Sequence, residues 1–205
     1  MIVYLDNSST TRPYREAVDK AVLCMTEDYG NPSSLHGLGI NAEKAVKEAR
    51  AAVAKGLGVS PGEIYFTSGG TEADNMAIIR GAQSKRRAGN RIITTKTEHP
   101  AVLEPCAYME KQGFEVVYID ADSKGCIDME QLESEINDRT VLISVMHVNN
   151  ELGSINPVAE IAKFKGNALF HSDAVQSYGK VDINAGGTDI DMISVSGHKI
   201  HGPKG

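Results

Sequence analysis

Asp191-Met-Ile-Ser-Val-Ser-Gly-His-Lys-Ile-His-Gly-Pro-Lys-Gly205 is the stretch that decides the fold. An apolar, strand-like run, Met192–Ser196, leads into Gly197, His198 and Lys199, and then a glycine-proline turn. A charged lysine at the end of a buried strand is unfavourable. Desolvation lowers its pKa, and the deprotonated amine can attack an aldehyde. Lys199, beside Ser196 and His198, is therefore a candidate for a Schiff base to pyridoxal phosphate. A surface lysine in a loop is the commoner use of the residue, so the reading rests on two further segments.

The first is Ile64-Tyr-Phe-Thr-Ser-Gly-Gly-Thr-Glu72, followed by the helical pattern Ala73-Asp-Asn-Met-Ala-Ile-Ile79. A strand over Ile64–Thr67 is expected to enter a small-residue turn. Gly69 and Gly70 allow close approach to an anion, and the helix start aims unpaired N–H groups and a positive dipole end at it. Thr71 adds a hydroxyl. The plainer alternative is a strand-to-helix turn capped by Ser68 or Thr71. The spacing fits neither a Walker loop nor a dinucleotide fingerprint. The second segment is Ala168-Leu-Phe-His-Ser-Asp-Ala-Val-Gln176. Asp173 closes an apolar strand on the ligand side of a parallel sheet, where a carboxylate can pair with a pyridinium nitrogen. The alternative use is a helix N-cap. His171 reads as a packed or surface histidine. No second His or Cys stands nearby at metal-ligand spacing, and no metal site is expected.

The chain resembles the cysteine desulfurases, the class V aminotransferase relatives of nitrogen fixation and iron–sulfur assembly. The resemblance starts at Tyr4-Leu-Asp-Asn-Ser-Ser-Thr-Thr11 and Gly30-Asn-Pro-Ser-Ser-Leu-His36. It continues through Phe66-Thr-Ser-Gly-Gly-Thr-Glu72, Thr97-Glu-His-Pro-Ala-Val102 and His147-Val-Asn-Asn-Glu-Leu-Gly153. It ends with His171-Ser-Asp-Ala-Val-Gln176 and Ser196–Gly205. It implies a type I pyridoxal-phosphate-dependent transferase fold and conversion of L-cysteine to L-alanine, with sulfur passed on as a persulfide. By the same resemblance, Lys199 bonds covalently to pyridoxal 5'-phosphate. Gly70, Thr71, Ser196 and His198 bind the phosphate region, and Asp173 pairs with the pyridine nitrogen. Gln176 and Asn150 match residues near the ring hydroxyl. His99, unremarkable by itself, matches a histidine stacked on the cofactor and implicated in proton transfer. A homodimer, a sulfur acceptor or scaffold protein and a cytoplasmic location are also implied.

Family members run to roughly twice this length. The resemblance therefore implies that residues 1–12 pack with a small domain and that 13–205 form an incomplete large cofactor-binding domain. The C-terminal domain, with the nucleophilic cysteine and the arginine that binds the substrate carboxylate, is expected to lie outside this chain. Cys24, Cys106 and Cys126 do not match that nucleophile and read as buried or incidental thiols. Residues 1–205 alone are expected to be inactive. The alternatives are a selenocysteine lyase or another class V enzyme, and, from another class, a truncated cofactor-binding or interaction module without turnover.

With 21 basic and 27 acidic residues the net charge is −6, which disfavours nonspecific nucleic-acid or membrane binding. An apolar fraction of 41% supports a packed core. The 3 cysteines, without pattern, fit a reducing compartment. No signal peptide is visible, and no apolar run approaches the about 18 residues of a membrane helix.

Strands are expected at Ile64–Thr67, Arg91–Thr95, Glu115–Ile119, Val141–Val148, Ala168–Ser172 and Met192–Ser196. Helices are expected from Pro13, through Ala42–Val53 to a C-cap at Gly56, and near Ala73–Ala88, Pro100–Gln112, Met129–Ile136 and Pro157–Lys165. This alternation implies a mostly parallel sheet with helices on both faces and ligands at the strand ends.

Overall fold

A computed structural model describes residues 1–204. Gly205, the last residue of the closing motif and of the expected 13–205 domain, lies outside the described residues. The described chain divides into two compact units. One holds residues 1–66, 183–187 and 197–204, and the other holds 67–182 and 188–196.

The second unit is built on a parallel sheet of β1 (Arg91–Thr95), β2 (Glu115–Ile119), β3 (Thr140–Ser144), β4 (Leu169–Asp173) and β5 (Met192–Ser194), in the order β2-β1-β3-β4-β5. β1 and β3 are buried along their whole length. That is why their sequences, Arg-Ile-Ile-Thr-Thr and Thr-Val-Leu-Ile-Ser, show no polar-apolar alternation.

Alternate residues nevertheless point to opposite faces. Ile92 and Leu142, paired in register, join Ile78, Ala82, Val102, Cys106 and Met109 in one core. Ile93 and Ile143, the next pair, join Phe170, Ile119, Leu132, Val158 and Ile161 in the other. Each such fully buried aliphatic or aromatic side chain contributes about 1.5–3 kcal/mol.

The helices of this unit are α3 (Gly70–Asn75), which passes through a π-helical turn at Met76–Arg80 into α4 (Gly81–Ser84), then α5 (Pro100–Lys111), α6 (Met129–Glu135) and α7 (Val158–Phe164). The π turn lies where Gly81 packs closely. A Cβ there would stand 3.0 Å from the Met192 methyl. At the start of β1 the buried Arg91 pairs with Glu115 and Glu135, which holds β1, β2 and α6 together away from the strands' C-terminal ends.

The other unit carries α1 (Arg15–Thr26) and α2 (Gly37–Leu57). Two expectations are corrected here. Ile64–Thr67 is not a strand: Ile64 is extended, but Tyr65 and Phe66 are exposed and no strand among the described residues pairs with the segment. Its β-branched and aromatic content favours extended backbone, but a strand also needs an edge to pair with. The C-cap of α2 is Gly58, not Gly56. Gly58 takes the left-handed conformation at φ 70° and donates its N–H to Ala54. Helical periodicity runs past both glycines, and only the backbone turn distinguishes them.

Candidate active site

The sheet order reverses between β1 and β3. The chain moves outward from β1 to β2, then crosses to the other side for β3, β4 and β5. Crevices at such reversals, outside the carboxyl ends of the strands, are where α/β sheets hold ligands. His99 follows β1, Asn150 follows β3, Asp173 ends β4 and Ser196 follows β5. The sequence-predicted residues of this unit thus lie at the same end of the sheet.

Gly70 and Thr71 open α3. Gly69, the residue before it, has φ 156° and supplies no side-chain cap. Neither Ser68 nor Thr71 takes that role: the Ser68 backbone N–H donates to Glu72 at 2.6 Å. The first-turn N–H groups of α3 are therefore left for an anion. Gly70 itself is required by packing. A Cβ there would come to 3.0 Å from Cγ2 of Val175 and 3.7 Å from Cβ of Ser196. This close approach brings the helix start against the turns that follow β4 and β5, and a phosphate group fits the resulting uncapped, hydroxyl-bearing cradle.

Asp173 is 6% exposed and lies in register with Ser194 of β5. Its Oδ1 accepts from the Val175 N–H at 2.8 Å. The residues that follow form turns, so Asp173 caps no helix and the alternative reading falls away. Gln176 is half-buried in these turns. A carboxylate so placed suits a protonated pyridine ring. His99 is exposed and caps α5, with Nδ1 accepting from the Ala101 N–H at 3.1 Å. That bond fixes the neutral ring as the Nε2–H tautomer. Asn150 is half-buried, but the neighbouring Asn149 does the structural work: its Nδ2 donates to the Thr97 carbonyl at 3.0 Å, and its Oδ1 accepts from Glu151 and Leu152.

Sequence reasoning missed the polar interior behind these residues. Glu98 is 5% exposed, and its Oε1 accepts from the Met146 N–H at 2.7 Å and the Thr95 hydroxyl at 3.0 Å. Burial pushes its carboxyl up to about 8. Burial likewise pushes Asp74 up to about 8, with the charge of Asp173 adding to it. His171 is fully buried between the hydroxyls of Ser144 and Ser194, each 2.9 Å away, and burial pulls its pKa down to about 3. Of these, only the burial of His171 had a sequence signal, its place in an apolar strand.

His198 and Lys199 belong to the first unit. Lys199 is half-buried, and its Nζ donates to the carbonyls of Ser8 at 2.5 Å and Ser9 at 2.9 Å. The His198 carbonyl accepts both the N–H and the hydroxyl of Thr11, at 2.9 and 2.8 Å. The His198 Nδ1 lies 3.1 Å from the Thr10 hydroxyl, and burial, then Lys199 and Lys204, lower the His198 pKa. The small hydroxyl-rich motif Asn7–Thr11 therefore cradles the backbone of the lysine loop. The sequence shows that motif without showing what it holds.

A family model described as aminotransferase class-V matches residues 3–205. A cysteine desulfurase IscS of Clostridium botulinum is 45% identical over 205 residues, covering 99% of this chain and 52% of its own length. One from Methanosarcina thermophila is 47% identical, over 99% of this chain and 51% of its own. The chain spans about half the length of the curated relatives it matches. Among solved structures, a NifS-like protein superposes with a TM-score of 0.96 at 42% identity, covering 100% of this chain and 57% of that one. A second, described as SspA in complex with cysteine, gives 0.94 at 38%, covering 100% and 59%. The expected type I pyridoxal-phosphate transferase fold, a parallel sheet with helices on both faces, is the fold observed. The chain belongs to the aminotransferase class-V family.

Proposed function

We propose that the complete protein is a pyridoxal-5'-phosphate-dependent cysteine desulfurase that converts L-cysteine to L-alanine and passes the sulfur on as a persulfide. The observation that carries the reading is the uncapped Gly69-Gly70-Thr71 helix start at the same end of the sheet as Asp173. It offers a phosphate cradle and a ring-nitrogen partner in one compact unit. The named relatives and the neighbour solved with cysteine support the choice of substrate.

When bound, the cofactor supplies an electron sink for the substrate's α-carbon. In this reading Gly70, Thr71, Ser196 and His198 hold the phosphate. Asp173 keeps the ring nitrogen protonated, and Gln176 and Asn150 orient the ring hydroxyl side. Lys199 would hold the cofactor through its amine and would supply that amine for moving protons. His99, with its Nε2 protonated, is the second proton carrier. The thiolate that takes the sulfur is not Cys106, which is fully buried and whose thiol burial pushes up to about 12. We assign that role, and binding of the substrate carboxylate, to the part of the relatives' length that this chain does not span.

Residues 1–12 are proposed to pack with a second domain, since Ile2, Val3 and Leu5 are exposed. A homodimer, a sulfur acceptor or scaffold protein, a role in iron–sulfur assembly and a cytoplasmic setting complete the reading. No helix among the described residues is long and apolar enough to cross a membrane. The test is borohydride reduction of the complete protein with pyridoxal phosphate, followed by peptide mapping and an assay of alanine and sulfide from cysteine. An adduct on Lys199 together with cysteine-dependent alanine supports the reading. An adduct on another lysine, or turnover of selenocysteine alone, overturns it.

A further inference from the structure

Beneath Asp173 lies a set of buried titratable groups. Asp74 of α3 is 1% exposed, Glu98 after β1 is 5% exposed and His171 of β4 is 0% exposed. Asp74 Oδ1 stands 3.5 Å from His171 Nε2 and makes no hydrogen bond, and Glu98 Oε2 makes none either. Both ring nitrogens of His171 are engaged by hydroxyls, Ser144 and Ser194. Among the described residues no lysine or arginine forms an ion pair with Asp74 or Glu98. Among the described residues Arg91 is the one buried lysine or arginine, and Glu115 and Glu135 already occupy it. A buried carboxylate with a bare oxygen and no counter-charge takes up a proton instead. Asp173 differs from the other two, since neither of its carboxylate oxygens is left buried without a hydrogen-bond partner and it ends the strand on the ligand side.

We propose that Glu98 and Asp74 are positioning residues held as neutral acids, so that the single negative charge of this three-carboxyl cluster resides on Asp173. The groups that face them are consistent with this charge pattern. Asp74 meets Ser194 and His171, and the imidazole is kept neutral by burial, at about 3. Glu98 meets Thr95, the Met146 N–H and the Cys106 thiol of α5, which is uncharged. The charge on Asp173 and burial both oppose ionisation of the pair. Were the proton on Asp173 instead, the group facing the ring nitrogen would be the neutral one. The purpose of the arrangement rests on the pyridoxal reading above. Its test does not.

The test is infrared titration of the complete protein without cofactor, in D2O. Wild type is expected to show protonated-carboxyl stretches at neutral pD. One is lost in Glu98→Gln and another in Asp74→Asn, and both fade as pD rises through about 8. Asp173→Asn should leave both bands and lower their ionisation midpoints by roughly one unit, the scale of a neighbouring buried charge. A Glu98 carboxyl not coupled to the charge on Asp173 would keep its midpoint. Absence of the bands at neutral pD, their loss in Asp173→Asn, or an unmoved midpoint each overturns the proposal. If Glu98→Gln does not fold, the Asp173→Asn titration carries the test alone. A failed cofactor assignment shows separately, as a missing borohydride adduct on Lys199.

Discussion

At the scale of the residue, Lys199 must leave two carbonyl acceptors, on Ser8 and Ser9, before its amine can bond to an aldehyde. In the complete protein Lys199→Ala should abolish the borohydride-sensitive absorbance band and all alanine formation, while noncovalent cofactor binding persists in dialysis. Asp173→Asn keeps the shape and removes the charge. It should retain cofactor yet lose about two or more orders of magnitude in rate, measured as alanine formed from cysteine. Glu98→Gln tests the buried acid through stability. The folded-state pKa of Glu98 is raised to about 8 from 4.5, so the folded protein binds a proton that the unfolded chain releases across that window. Wild-type stability from this group therefore falls as pH rises between those values. The variant's gain in Tm should be greater at pH 8 than at pH 5, and an equal gain at both would mean that Glu98 is ionised when folded. The place of Asp173 at the end of β4, and of Lys199 in the turn that follows β5 in the chain, was legible in the apolar runs that precede them. Glu98 was not. It stands in a polar run, Thr97-Glu98-His99, and its burial depends on Met146, far along the chain.

At the scale of the element, most helices were legible because their apolar positions repeat with the helical period, and the buried strands because they are short apolar runs between turn residues. Such patterns depend only on local residues, whereas pairing of Ile64–Thr67 depends on a partner edge that no local pattern reveals. Helix ends fall between these cases. The choice between Gly56 and Gly58 turns on one left-handed φ, at Gly58, where an added Cβ would also come to 2.6 Å from Oδ1 of Asn184. Gly58→Ala should lower unfolding stability by about 1–2 kcal/mol, read from denaturant midpoints, since left-handed backbone disfavours a side chain. Gly56→Ala lies inside α2 and should be neutral or stabilising by up to about 1 kcal/mol.

At the scale of the whole molecule, the first unit exposes Ile2, Val3, Leu5, Tyr65 and Phe66. Exposed apolar groups of this kind favour association. Light scattering of the complete protein should give a dimer, and a monomer would reject that part of the reading. A fragment of residues 1–205 should be poorly soluble and should form no alanine above a Lys199→Ala control. The bonds from Lys199 to Ser8 and Ser9 and from Thr11 to His198 have a kinetic consequence. They join chain positions separated by 187 to 191 residues. Closing a loop of that size costs on the order of 5 kcal/mol in chain entropy. Because both halves of this clasp lie at the ends of the described chain, it is expected to close after the sheet has formed. Weakening this clasp, as in Thr11→Val, should therefore speed unfolding in stopped-flow measurements and leave the refolding rate nearly unchanged.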